Sequence, residues 1–209
     1  TASISVALTT PPTKSCRKRR SRTSTAATTG GKARLSSSAI FRVTVPTLIE
    51  FETPRLRLRQ WRESDREPFA AMNADPAVME FFPALQSRTS SDASIDAWQS
   101  QFVSRGWSNW AAELIESGQL IGFVGLTVPR RVLPFSPCVE IGWRLARAHW
   151  GLGLATEAAQ GALRVGFERL GLTEIVSFTT VSNQRSRAVM ERIGMRNSNQ
   201  DFEHPGVPE

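Results

Sequence analysis

The sequence predicts an α/β (α+β) domain built on a mostly antiparallel sheet, on three observations. Residues Arg55-Leu56-Arg57-Leu58-Arg59-Gln60-Trp61 alternate polar and apolar, the period of a half-buried strand. Residues 154–170 instead space Leu154, Ala158, Ala162, Leu163, Val165 and Leu170 as one face of a helix. Strand-like and helix-like runs also follow one another without regular strand–helix–strand repetition. At 209 residues, the chain suits one core domain of ordinary size.

The elements are predicted in order as follows. After the strand at 55–61, Ser64 is the expected N-cap of a short helix carrying Phe69 and Met72 and ending at Asn73, before the Asp75-Pro76 break. Residues 78–83 form an apolar loop or short turn. Ser90 or Ser91 opens a second helix, with Ile95, Trp98, Phe102 and Val103 at helical spacing and Gly106 as its stop. Strands follow at 110–115, 120–128 and 139–145, with a Ser117-Gly118 turn between the first two. Gly171 stops the long helix, and 175–181 is a strand. Asn183 caps a last helix that turns Val189, Met190 and Ile193 inward and stops at Gly194.

Charge divides the chain. Residues 1–49 hold nine of the 26 basic side chains and no acidic one, leaving 17 basic against 19 acidic in the rest. The high pI therefore belongs to the N-terminal segment, and the remainder is not read as a nucleic-acid binder. Residues 9–39, mostly Thr, Ser, Ala, Arg, Lys and Gly, cannot bury enough apolar surface to offset the entropy of ordering them. Residues 1–46 are expected to be a disordered basic extension, and 47–209 the domain. Three origins fit the extension: an organelle transit peptide, a basic arm touching RNA, or an upstream stretch foreign to the natural protein. Ile4-Ser5-Val6-Ala7-Leu8 is too short for the core of a secretory signal, and no apolar run suffices to span a bilayer. The default location is the cytoplasm. Cys16 and Cys138 lie far apart, with no metal-ligand spacing and no disulfide framework.

The most informative stretch is His149-Trp150-Gly151-Leu152-Gly153-Leu154-Ala155-Thr156-Glu157, between a strand and the long helix. Two glycines one residue apart let backbone amides converge without Cβ obstruction, and the helix then begins with unpaired N–H groups and a partial positive charge. Together they suit a pyrophosphate, although a bare strand-to-helix turn has the same glycines. Position 156 is Thr, which rules out a dinucleotide fingerprint, and no Lys-Ser/Thr pair follows the glycines, which rules out a P-loop.

Here the sequence resembles a known family. Trp143-Arg144-Leu145 with residues 150–158 looks like the acetyl-CoA motif of the GNAT acetyltransferases. Asn183-Gln184-Arg185-Ser186 with Glu191-Arg192-Ile193-Gly194-Met195 is similar to that superfamily's ribosomal-protein N-terminal acetyltransferase branch, as is the opening Glu52-Thr53-Pro54-Arg55-Leu56-Arg57-Leu58-Arg59. The resemblance covers about residues 50–209 and implies about four helices around a sheet splayed at 139–145 by a β-bulge. Acetyl-CoA is the implied co-substrate, and no metal is. Its pantetheine would pair with the backbone of Trp143 and Leu145, and its pyrophosphate would meet the amides of Trp150, Gly151, Leu152, Gly153, Leu154 and Ala155. Where the motif begins with Gln or Arg, this chain has Ala148, and Arg147 is the expected source of charge. GNAT domains end in a strand inserted into the sheet. Residues 198–209 contain Pro205, Gly206 and Pro208, poor strand material, and 201–205 resembles the preceding loop. The final strand is therefore expected to be missing.

Direct acetyl transfer needs a proton acceptor for the amine, donors for the developing oxyanion and a proton for the leaving thiolate. Glu140, on the cleft strand, is the candidate base; a surface strand carboxylate paired with Arg144 or another base is the plainer reading. Alternation places Glu140, Gly142 and Arg144 on one face of that strand and Ile141, Trp143 and Leu145 on the other. The family often uses a Tyr as the acid, and this chain has none. Ser186 is the candidate substitute, unless its hydroxyl only satisfies a helix-end amide. Asn183 is expected to be both N-cap and pantetheine partner. Glu157 reads as a first-turn carboxylate serving the helix dipole. Phe81, Phe82 and Trp110 are the candidate acceptor-channel walls, with core the default for each. His204 could line the acceptor site.

The sequence therefore predicts an N-acetyltransferase acting on a protein N-terminus or a small amine, as monomer or homodimer. A CoA-binding module without catalysis and an RNA- or ribosome-associated protein recruited by the basic arm are the rivals.

Overall fold

The computed structural model describes residues 3–11 and 46–203. Cys16, His204 and residues 12–45, on which most of the expected disorder falls, lie outside the described residues. The elements in chain order are β1 (Ser3–Thr9), β2 (Phe51–Glu52), β3 (Leu56–Arg59), α1 (Arg66–Asn73), α2 (Arg88–Arg105), β4 (Asn109–Leu114), β5 (Leu120–Thr127), β6 (Glu140–Leu145), α3 (Leu154–Arg164), β7 (Ile175–Thr180), α4 (Gln184–Arg192) and β8 (Arg196–Glu203). The strands form one sheet in the order β2-β3-β4-β5-β6-β7-β1-β8. The β6–β7 pair is parallel and the others are antiparallel.

Alternation sorts the sheet's two faces. On β5, Phe123 packs against Phe69 of α1 and Trp98 of α2, with ring centroids 6.2 and 4.8 Å apart. Leu126, at odd spacing from Phe123, turns to the other face and meets the chain just after α3 near Gly166. The core lies on both sides, with Leu56, Leu58, Phe69, Phe102, Trp110 and Ile141 all at most 1 % exposed. At the β3–β4 end a charged network is buried as well. Arg59 bridges Asp65 and Glu113 at 2.7 Å each, and Arg57 and Arg62 add bonds to Glu113 at 3.0 and 2.9 Å. Burial alone would raise the Glu113 pKa, but the hydrogen bonds and charges of its arginines outweigh it and hold the carboxyl below its usual range.

The helices differ from expectation at their starts. Ser64 does not cap α1. It sits in a 3-10 turn over Glu63–Asp65, and the Asp65 carboxylate accepts the Arg62 N–H at 2.7 Å. Ser87, not Ser90 or Ser91, caps α2, accepting the N–H of Ser90 at 3.1 Å. After Arg164 the long helix widens into a π turn over Val165–Arg169.

Two larger corrections concern the ends of the chain. Residues 3–9 do not belong to a disordered extension: they form β1, paired with β7 from Ile4–Thr180 to Thr9–Ile175 and with β8 from Ser3–Glu203 to Leu8–Arg196. Residues 201–203, read from the sequence as loop, complete β8 at the sheet edge. β1, from the N-terminal side, lies between β7 and β8 in the sheet. Rings of Phe135, Phe178 and Phe202 meet at 5.1–6.1 Å and tie β7 to β8 across β1.

Candidate active site

The sheet splays at β6. Its register with β5 runs unbroken from Glu140–Thr127 to Leu145–Gly122, so no β-bulge opens the cleft there, contrary to expectation. The opening comes from the other side. β6 pairs with β7 at Glu140–Val176, where the Val176 N–H donates to Val139 O at 2.9 Å, and the pairing does not continue toward Leu145. A cavity of about 1390 Å³ fills the resulting cleft. That exceeds the several hundred Å³ of common ligand sites and leaves room for a long ligand and a second molecule.

At one end of the cavity lies the turn into α3. Gly151 and Gly153 both take left-handed backbone, φ 75° and 76°, which a side chain would strain. The first helical bond is Glu157 N–H to Gly153 O at 3.0 Å, so the N–H groups of Leu154, Ala155 and Thr156 have no partner within the helix. The Trp150 amide is not free. It donates to Arg147 O at 3.2 Å, while the Trp150 indole donates to Leu145 O at 2.8 Å and fixes the turn to β6. The Leu152 side chain points outward, 55 % exposed.

Sequence reasoning missed the clamp behind this turn. Glu157 accepts the Thr53 hydroxyl at 2.7 Å, the Arg55 N–H at 2.9 Å and Arg55 Nε at 2.7 Å, and Arg55 Nη1 then donates to Leu152 O at 3.0 Å. Burial pushes the Glu157 pKa up, but these bonds outweigh it and hold it low. Glu157 thus ties the Thr53-Pro54-Arg55 turn to the glycine loop rather than only serving the helix dipole. The three residues were visible as motif members, but not their meeting across the fold. Arg55→Ala should raise the acetyl-CoA Kd about fivefold by calorimetry, the equivalent of about one net hydrogen bond.

Glu140 sits at the other end, on the face of β6 turned toward α1 and α2. Burial pushes its carboxyl up to about 7, and among the described residues no salt bridge holds it, so the alternative of a carboxylate paired with Arg144 or another base is not seen. Such a group changes protonation near neutral pH, as a general base must. Asn183 caps α4 as expected: its Oδ1 accepts the Ser186 N–H at 3.1 Å, and its Nδ2 donates to Thr179 Oγ1 at 3.0 Å. The Ser186 hydroxyl lines the cavity and makes no hydrogen bond among the described residues, so it does not satisfy a helix-end amide.

Trp143, Leu145, Gly151, Gly153, Leu154, Ala155, Phe81 and Phe82 also line the cavity. Trp110 does not. It is fully buried between Phe51 and Phe102, with its indole donating to Ile49 O at 2.6 Å, and is core rather than channel wall. The Arg185 guanidinium, unforeseen from sequence, lines the cavity, lies over Trp150 at 4.6 Å and Phe81 at 5.5 Å, and pairs with Glu80. Arg147 is exposed and does not line the cavity. Among the described residues no His/Cys/Asp/Glu group is placed to hold a metal, and no helix is long and apolar enough to cross a membrane.

A parallel strand pair that parts over a glycine-rich helix mouth is the arrangement of an acyl-CoA-dependent transferase. The acetyltransferase (GNAT) domain matches residues 55–196, and the chain belongs to that family. It is an acetyl-CoA-dependent N-acetyltransferase, with acetyl-CoA as its co-substrate. The uncharacterized protein YkkB of Bacillus subtilis is 32 % identical over 147 residues, covering 70 % of this chain and 84 % of that protein. The FsC-acetyl coenzyme A-N(2)-transacetylase of Aspergillus fumigatus is 30 % identical over 176 residues, covering 78 % and 73 %. The crystal structure of an acetyltransferase from Agrobacterium tumefaciens superposes with a TM-score of 0.62 at 28 % identity, covering 78 % and 88 %.

Proposed function

We propose that the chain transfers the acetyl group of acetyl-CoA directly to a primary amine, with Glu140 as general base and Ser186 as proton donor. The observation that carries this is the position of Glu140: a carboxylate that burial pushes up to about 7 lines the same cavity as the glycine turn. In this reading the diphosphate lies on the N–H groups from Gly151 to Ala155 and the pantetheine lies along Trp143 and Leu145, with Asn183 on its other side. The amine nitrogen attacks the thioester carbonyl carbon and the C–S bond breaks. The amine's proton goes to Glu140 and the Ser186 hydroxyl protonates the departing sulfur.

The acceptor is the free amine of a peptide N-terminus or of a small molecule. The motifs at 143–158 and 183–195 support the ribosomal-protein branch and hence a peptide. The Aspergillus relative, named for transfer to an N(2) nitrogen, supports a smaller acceptor. CoA-thiol release with a panel of peptides and small amines tests the reaction, and calorimetry with acetyl-CoA tests the donor site. Binding without thiol release from any amine would overturn catalysis. Ser186→Ala should lower kcat about tenfold or more and leave the acetyl-CoA Kd within twofold, the low end of acid–base contributions. Unchanged kcat would remove Ser186 from the reaction.

A further inference from the structure

We propose that Arg144 selects acceptors that carry an anionic oxygen group, a carboxylate or a phosphate, several bonds from the amine to be acetylated. The proposal rests on the cavity being the acetyl-transfer site. Arg144 and Glu140 lie on the same face of β6, the face whose β5 partners include Phe123. Both line the cavity. Between them is Gly142, and within 4 Å of where its Cβ would stand there is only Glu140 Oε1, at 3.8 Å. The strand surface between the two charged groups is thus a bare trough, open to a ligand that reaches from one to the other.

Arg144 is held rigidly. Its guanidinium carbon lies 4.0 Å from the centre of the Phe82 ring and 5.6 Å from that of Phe123. Nη1 donates to Asn73 Oδ1 at 2.7 Å, and Asn73, fully buried, is fixed in turn by a 3.0 Å bond to Ser91 Oγ. What this cage lacks is an anion. Among the described residues no carboxylate pairs with Arg144, whereas buried Arg59 has two and cavity-lining Arg185 has Glu80. Nε is sealed from water with no partner, and Nη2 makes no hydrogen bond either. Nη2, which is not sealed, is the donor left for a ligand oxygen, a charge-assisted hydrogen bond that a carboxylate or phosphate accepts. Burial lowers the Arg144 pKa to about 10, the direction expected of a cation left without a counter-charge. A ligand anion would supply it, whereas an acceptor with several ammonium groups would meet one uncommitted carboxylate, Glu140, since Glu157 is taken by Arg55 and Thr53.

The test uses 4-aminobutyrate, 5-aminopentanoate and 6-aminohexanoate, their amides, and aminoalkyl phosphonates of matched length, with thiol release as readout. In the wild type, kcat/KM for the best acid or phosphonate should exceed that of its uncharged amide about tenfold or more. The better of carboxylate and phosphonate identifies the anion. Arg144→Met should bring acid and amide within about twofold by raising KM for the acid, Arg144→Lys should restore part of the gap, and the acetyl-CoA Kd should stay within twofold in both. Amides acetylated as well as acids by the wild type would overturn the proposal. So would an Arg144→Met variant that weakens acetyl-CoA as much as the acceptor. If no amine is turned over although acetyl-CoA binds, the functional reading fails but the proposal remains decidable. The Arg144 Nε–H resonance of the CoA-saturated protein should move on adding 6-aminohexanoate and not its amide, and a static resonance overturns it. The same titration decides the question if the variants do not fold.

Discussion

Glu140→Gln should lower kcat by about a hundredfold to a thousandfold while leaving the acetyl-CoA Kd within about twofold. The amide keeps the shape of the carboxylate and loses only its ability to take a proton. Wild-type kcat/KM should rise with pH through about 7, because the base works only when ionised and burial holds its pKa there. The variant should lose that limb. Stability moves the other way. A carboxyl whose pKa is raised on folding favours the folded state fully below its unfolded pKa, and that contribution is lost as pH rises through about 7. Above that pH, Glu140→Gln should therefore be more stable than wild type, by about 1–2 kcal/mol after allowance for the carboxyl's access to the cavity. Equal denaturation midpoints at pH 8.5 would mean that the carboxylate is better solvated than its position in the cleft implies.

Ala7→Pro should destabilise the protein by about 2–4 kcal/mol, at the upper end for one substitution. Ala7 is 6 % exposed and pairs with Ser177 on one side and Asn197 on the other. Proline removes a ladder donor from a strand with neighbours on both sides, where no solvent can replace the partner. Urea denaturation measures the loss. Hydrogen exchange should find the amides of 196–203 exposed well before those of β3–β5, because among the described residues β8 pairs only with β1. Uniform protection across the sheet in the variant would show that β8 is held by other means.

Local patterns reached most of the fold. The strands at 56–59, 109–114, 120–127, 140–145 and 175–180 are near-neighbour segments with clear periods, and Gly106 and Gly194, both with positive φ, stop their helices as their positions predict. β1 escaped notice although Ile4-Ser5-Val6-Ala7-Leu8 is an ordinary strand sequence. Its partners are more than 160 residues away, and no local period reveals them. The same limit divides the site. The glycine turn and the Asn183 cap each lie in a few consecutive residues and were legible. The Thr53–Arg55–Glu157 clamp, the Arg185–Trp150 stack and the Arg144–Asn73 bond join distant segments and were not. Trp110 was misassigned because an aromatic side chain on a strand has the same signature in a core as in a channel.

The charged network around Glu113 makes acid a selective reagent for this sheet. A carboxylate held below its usual range favours folding above its unfolded pKa, and that contribution fades as pH falls through the folded one. Protonating Glu113 would leave Arg57, Arg59 and Arg62 crowded around a neutral acid, so the β3–β4 margin loosens on acidification. The cleft margin, governed by Glu140, tightens earlier in the descent, as pH falls through about 7 toward the ordinary carboxylate range. The halves of a single sheet thus respond to protons with opposite sign, and acid unfolding should begin at the margin farther from the catalytic cleft.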